Sequence, residues 1–82
     1  MKSIYVGNMP YSATKEQIAE LFGRFGKVQS VKIILDKESK RPKGFCFVEM
    51  EDAEALEAIS ALDNEEFLGR RLKVNEAKAR QP

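Results

Sequence analysis

Apolar residues recur along this chain with two different periods, and the switches between them predict the elements. Ile4-Tyr5-Val6 alternates and predicts a short first strand, ended by Gly7-Asn8-Met9-Pro10. Ile18, Leu21, Phe22 and Phe25 then follow the i, i+3, i+4, i+7 spacing of a helical core stripe. Thr14 is placed to cap that helix, with Gln17 three residues on completing a capping box, and Gly26 is expected to close it at C′. Residues 28–35 are rich in β-branched side chains and predict a second strand. Asp36-Lys37-Glu38-Ser39-Lys40-Arg41-Pro42 reads as a polar loop, and residues 43–50 as the third strand. Asp52 is expected to cap a second helix whose apolar face is Leu56, Ile59 and Leu62 with Ala55 and Ala58. Asp63-Asn64 should stop it, Asn64 tolerating a left-handed backbone. Glu66-Phe67-Leu68, turned by Gly69, is a short extension before a last strand over residues 71–75 with Leu72 and Val74 inward. The tail from Ala77 to Pro82 is expected to be loosely ordered.

The resulting order is βαββαβ. Crossovers are right-handed and short, so the split βαβ arrangement sets the first and third strands side by side, with both helices on one face. Alternation sends Lys43, Phe45 and Phe47 to one side of the third strand and Cys46, Val48 and Met50 to the other. If Ile4, Val6, Cys46 and Val48 face the core, Tyr5, Phe45 and Phe47 face water. Three exposed rings beside a lysine suit the stacking of nucleic-acid bases. The bland alternative is cross-strand aromatic packing, which contributes about 0.2–1 kcal/mol per pair. That is small beside the cost of a wet apolar patch and beside the roughly 1–3 kcal/mol per stacked base. Phe22 and Phe25 read as core, Phe67 as core or edge packing, and Tyr11 as a packing residue.

Composition narrows the picture. With 82 residues the chain suits one domain, taken as residues 1–78, with a short tail at 79–82. No apolar run approaches the roughly 20 residues needed to cross a membrane. The strand pattern starts at once, so no leader is expected. Cys46 is the only cysteine, which excludes an internal disulfide and a Cys-x-x-Cys metal clip. Its inward position fits a small core residue in a reducing, cytoplasmic setting. The formal net charge is only +1, which by itself argues against a strong nucleic-acid binder, but the charges are segregated. Glu49, Glu51, Asp52, Glu54, Glu57, Asp63, Glu65 and Glu66 run without an intervening base, whereas Lys37, Lys40, Arg41, Lys43, Arg70, Arg71, Lys73, Lys78 and Arg80 lie outside that run. An acidic side behind the sheet and a basic side are expected, and acid behind the sheet would orient approach to the ring-bearing face. An enzyme is not expected: the chain has 0 His, a buried Cys46 is a poor nucleophile, and Gly7 and Gly44 form no phosphate-cradling loop. No cofactor or metal is implied.

Lys43-Gly44-Phe45-Cys46-Phe47-Val48-Glu49-Met50 resembles the octamer of the RNA recognition motif, and Ile4-Tyr5-Val6-Gly7-Asn8-Met9 resembles the hexamer of that family. The likeness extends from Ile4 to Lys78, and the short chain is similar to small single-domain bacterial members. It implies an α+β ferredoxin-like sandwich, a four-stranded antiparallel sheet in the order 4-1-3-2 with two helices on one face. It implies single-stranded RNA binding by a monomer in post-transcriptional regulation or processing, with single-stranded DNA a weaker ligand. Under the resemblance Tyr5 stacks under one base and Phe47 under the next, Phe45 packs against the intervening sugars, and Lys43 meets a phosphate. Asn8, Lys73, Asn75, Ala77 and Lys78 match positions that touch bases or backbone. Arg41 and Lys40 stand open between phosphate contacts and a solvated loop, Arg70 and Arg71 between RNA contact and a solubilised turn. Cys46, Met50, Lys40 and Asp63-Asn64 depart from the family pattern, the first two on the core side. Some members use the same sheet or the helices for peptides, so a protein-binding module is the alternative.

Overall fold

Antiparallel pairing of β1 (Lys2–Gly7) with β3 (Pro42–Met50) centres the molecule, with Ile4 opposite Val48 and Val6 opposite Cys46. The computed structural model describes residues 1–10, 12–35, 38–39 and 42–77, the side chains of Pro42 and Lys43 excepted. The expectations for Tyr11, Lys37, Lys40, Arg41, Lys78 and residues 79–82, and for the Lys43 side chain, lie outside the described residues. β2 (Val28–Leu35) flanks β3, and β6 (Lys73–Ala77) flanks β1, giving the sheet order β2-β3-β1-β6. This is the expected ferredoxin-like 4-1-3-2 arrangement. Two helices, α1 (Lys15–Gly23) and α2 (Asp52–Leu62), complete the layer behind it.

Burial follows the alternation. Ile4, Val6, Cys46, Val48, Met50, Leu72 and Val74 are fully buried, and they meet Ile18 and Phe22 of α1 and Ala55, Ala58 and Leu62 of α2. Leu21, Phe25 and Phe67 pack partly buried around this cluster. The capping box at the start of α1 forms as expected: the Gln17 amide donates to Thr14 Oγ1 at 3.1 Å, and the Thr14 amide donates to Gln17 Oε1 at 2.9 Å. Such a cap contributes about 1 kcal/mol.

Several boundaries differ from expectation. α1 ends at Gly23 with Arg24 as its cap, and the Phe25 amide closes onto the Phe22 carbonyl at 3.0 Å, so Gly26 lies beyond the helix end. Phe25 reaches the core from a turn. Glu51, not Asp52, is the residue before α2: it is extended and makes no side-chain cap. Asp52 sits in the first helical turn and pairs with the N-terminal ammonium at 3.1 Å, where a carboxylate also favours the positive end of the helix dipole. Leu56 is 51% exposed. The stripe that meets the sheet is Ala55, Ala58, Ile59 and Leu62, and Leu56 lies about 100° round the helix from Ala55.

The final segment also splits. Glu66–Phe67 (β4) pairs with Arg70–Arg71 (β5) across Leu68 and Gly69, whose φ values of 52° and 88° are those of a tight hairpin turn. Arg71 therefore belongs to this ribbon, and the last sheet strand runs on to Ala77, which pairs with Ser3 instead of opening a loose tail. Asn64 adopts φ 68° as expected, and the Asp63 carboxylate accepts from the Val74 amide at 3.0 Å.

Burial pushes the Cys46 thiol up to about 12. An unfolded thiol ionises near 8.5, so above that pH the unfolded chain loses a proton that the native chain keeps. The thiol thus lowers stability only as pH rises past about 8.5. Alkylation at pH 8 should leave native Cys46 unmodified and should label it fully in denaturant; rapid labelling of the native protein would contradict this burial.

Candidate nucleic-acid interface

The face of the sheet turned away from the helices is set residue by residue by the register. Lys32, Phe47, Tyr5 and Asn75 line up across β2, β3, β1 and β6. Ser30, Glu49, Ser3 and Ala77 form the next row. On the other side of the Tyr5 row, Gly7 pairs with Lys73, and Phe45 precedes Cys46 on β3. Tyr5, Phe45 and Phe47 are half-buried, and Lys32, Lys73 and Asn75 are exposed.

The three rings form one cluster. The Tyr5 centroid lies 5.8 Å from that of Phe45 and 6.0 Å from that of Phe47, and Phe45 meets Phe47 edge-on at 6.0 Å and 84°. These separations are those of favourable aromatic pairs. The tilted arrangement still leaves ring faces and edges toward solvent on a surface with no helix above it among the described residues.

Two glycines of the motifs have physical reasons to be there. Gly44 has φ 92°, a backbone state open to glycine, and its carbonyl accepts from the Met9 amide at 2.8 Å. That bond ties the exit of β1 to the entry of β3. A Cβ at Gly7 would stand 2.5 Å from Tyr5 Oη and 2.7 Å from its Cε2, so the tyrosine ring leans along β1 and rests on the bare glycine backbone.

Asn8 has φ 55° and uses its amide at both ends. Its Nδ2 donates to the Arg71 carbonyl at 2.6 Å, and Arg70 donates to its Oδ1 at 2.7 Å. The residue therefore fastens the β1 exit to the β4–β5 hairpin and holds the Arg70 guanidinium beside the sheet. Arg71 turns the other way and donates to the Asn64 carbonyl at 3.3 Å. Arg70 thus lies nearer the face than Arg71, a distinction the sequence does not make because both precede the last strand.

Several residues of this face, Lys32, Ser30, Ser3 and Glu49 among them, are not singled out by the sequence. Lys32 stands directly opposite Phe47, and Ser30 opposite Glu49. With Val31 buried, alternation along β2 was the signal that could have found both. Glu49 corrects the charge map. It opens the acidic run but projects from the ring-bearing face, where Ser30 Oγ donates to its Oε1 at 3.0 Å. Glu51, Asp52 and Glu57 are exposed on and beside α2, behind the sheet. On the helix side, Lys2 pairs with Glu76 at 3.0 Å, and that hydrogen bond and charge raise the lysine pKa.

A sheet with an open aromatic face, a hexamer on its β1 strand and an octamer on β3 defines the RNA recognition motif, and the family model for that motif matches residues 4–73. The chain belongs to this family. A Nostoc sp. protein named RbpB is 50% identical over 80 residues, which is 96% of this chain and 78% of that protein. The crystal structure of RNA binding protein PG1 superposes with a TM-score of 0.92 at 43% identity, covering 100% of both chains. The Rna15 RRM with bound RNA (GU) superposes with a TM-score of 0.82 at 32% identity, covering 94% of this chain and 83% of that one.

The seating of Tyr5 on Gly7 is open to test. Gly7→Ala should keep the backbone amide spectrum of the sheet but abolish the nuclear Overhauser contacts between the Tyr5 and Phe45 rings. Unchanged ring contacts would show that Tyr5 does not depend on the bare backbone.

Proposed function

We propose that this chain binds single-stranded RNA across the open sheet face, as a monomeric binding module without catalysis, in post-transcriptional regulation or processing. The observation that carries the reading is the Tyr5–Phe45–Phe47 cluster on the face turned away from the helices, in a sheet with the family's strand order. Relatives named for RNA, and the Rna15 RRM with bound RNA (GU), support it.

In this reading Tyr5 stacks under one base, Phe47 under the next, and Phe45 packs against the sugars between them. Lys43 meets a phosphate, with Arg41 as a further contact at the same end of β3. Lys73, Asn75, Ala77 and Lys78 line the path along β6 and its exit. Asn8 acts largely through the guanidinium it positions, since its amide is engaged with Arg70 and Arg71. Lys32, beside Phe47, adds a cation that holds the chain to the rings. Stacking does not read the 2′-OH, so single-stranded DNA is a ligand for the same rings, weaker by whatever contacts the 2′-OH of RNA adds. A cytoplasmic setting goes with this proposal; among the described residues no helix is long and apolar enough to cross a membrane.

Tyr5→Ala and Phe47→Ala should each weaken binding of a short unstructured RNA by about 1–3 kcal/mol. The urea midpoint should move little, because neither ring belongs to the buried cluster. Titration by fluorescence anisotropy with parallel urea melts separates the two effects. Unchanged affinity in both variants would remove stacking from the account.

A further inference from the structure

Glu49 is out of place on a surface that meets phosphates. β3 is an inner strand of the sheet, so the residue projects from between Ser30 on β2 and Ser3 on β1 and not from an edge strand. Among the described outward residues of the four strands it is the one carboxylate, against Lys32 and Lys73. Its charge repels the backbone of any bound strand, which weakens binding of every sequence alike. An ionised carboxylate has no donor and can only accept hydrogen bonds. The attraction it can offer RNA is therefore to N–H groups on base edges.

The surroundings fix where it can do so. Ser30 Oγ donates to Oε1 at 3.0 Å and holds the carboxylate on the β2 side, and Oε2 has no hydrogen bond from that serine. Ser3 and Ala77, the cross-strand neighbours on the other side, are small. Glu49 lies two residues beyond Phe47 on the same face, about 7 Å along the strand. A base lying on the Phe47 ring can thus turn its Watson–Crick edge toward Glu49. Of the four bases, guanine alone presents two adjacent donors there, N1–H and the N2 amino group. Cytosine and adenine present a single amino group beside an acceptor, and uracil one N–H between two carbonyls.

We propose that Glu49, oriented by Ser30, is a specificity residue that selects guanine at the position stacked on Phe47 through a two-point hydrogen bond to N1–H and N2–H. This rests on the RNA-binding reading above. The test uses U-heptamers carrying U, G, inosine, A or C at the centre, titrated against the wild type and Glu49→Gln at one fixed low salt concentration. Inosine lacks the N2 amino group and removes one of the two bonds. The wild type should bind the G heptamer about tenfold more tightly than the U, A and C heptamers, with inosine falling between G and U. Glu49→Gln keeps the side-chain shape but replaces one acceptor with a donor. It should collapse the five affinities to within about twofold and leave the all-U heptamer bound at least as well. A wild type that does not separate G from inosine, or a variant that keeps the G preference, would overturn the proposal. So would a variant that binds all five more tightly by one common factor, since Glu49 would then only repel phosphate. A wild type that binds none of the heptamers would instead refute RNA binding itself, and the guanine reading with it.

Discussion

Tyr5 can lie beside Phe47 only while Ile4 faces Val48 and Val6 faces Cys46, because one register sets both faces of the β1–β3 pair. The back of that pair is fully buried under Phe22, Ile18 and the small face of α2. A slip by one residue would drive Tyr5 into the core and put Ile4 and Val6 into water. The apolar core therefore positions the aromatic face, although no ring of that face is part of the core. The Met9–Gly44 bond reinforces the same register at one end of the sheet, and the Asn8 amide ties that end of β1 to the β4–β5 hairpin.

This coupling divides the chain into residues that hold and residues that touch. Gly7 and Gly44 belong to the first kind despite standing inside the motifs. One supplies a floor for the Tyr5 ring and the other a left-handed backbone step. Cys46 and Met50, which depart from the family pattern, are both fully buried, so the departure is absorbed by packing and leaves the outer face unaltered. The exposed acids of α2 lie behind the sheet, and Lys32 and Lys73 in front of it. A chain of net charge +1 thus still offers a phosphate backbone a preferred side.

The sheet order and the three rings were legible in the sequence because period-2 alternation reports directly which side chain faces the core. Thr14 and Gln17 gave the start of α1 for the same local reason. What failed depended on contacts between distant segments. Asp52 looks like a cap, yet the ammonium of Met1, brought over by β1, pairs with it within the first turn of the helix. Leu56 looks like core, yet Ala55, Ala58, Ile59 and Leu62 at better angles fill the space above the sheet. Arg71 looks like the start of the last strand, yet it is claimed by a two-residue ribbon with Glu66. The link from Asn8 to Arg70 spans 62 residues, and no local pattern announces it. Glu49 is the instructive case: its face followed from the alternation that placed Phe45 and Phe47, but grouping it with the acids that follow it hid that.

The central claim is that one face of the sheet, and not the helices, meets the ligand. Amide shift mapping during titration with a mixed pool of short single-stranded RNA tests it most directly. The account predicts that the largest shifts fall on β1, β3 and β6, from Ser3 to Asn8, Gly44 to Glu49 and Lys73 to Ala77, with α1 and the exposed side of α2 unmoved. Shifts confined to the helices, around Leu56 and Glu57, would contradict it and would mark this chain as a protein-binding member of its family.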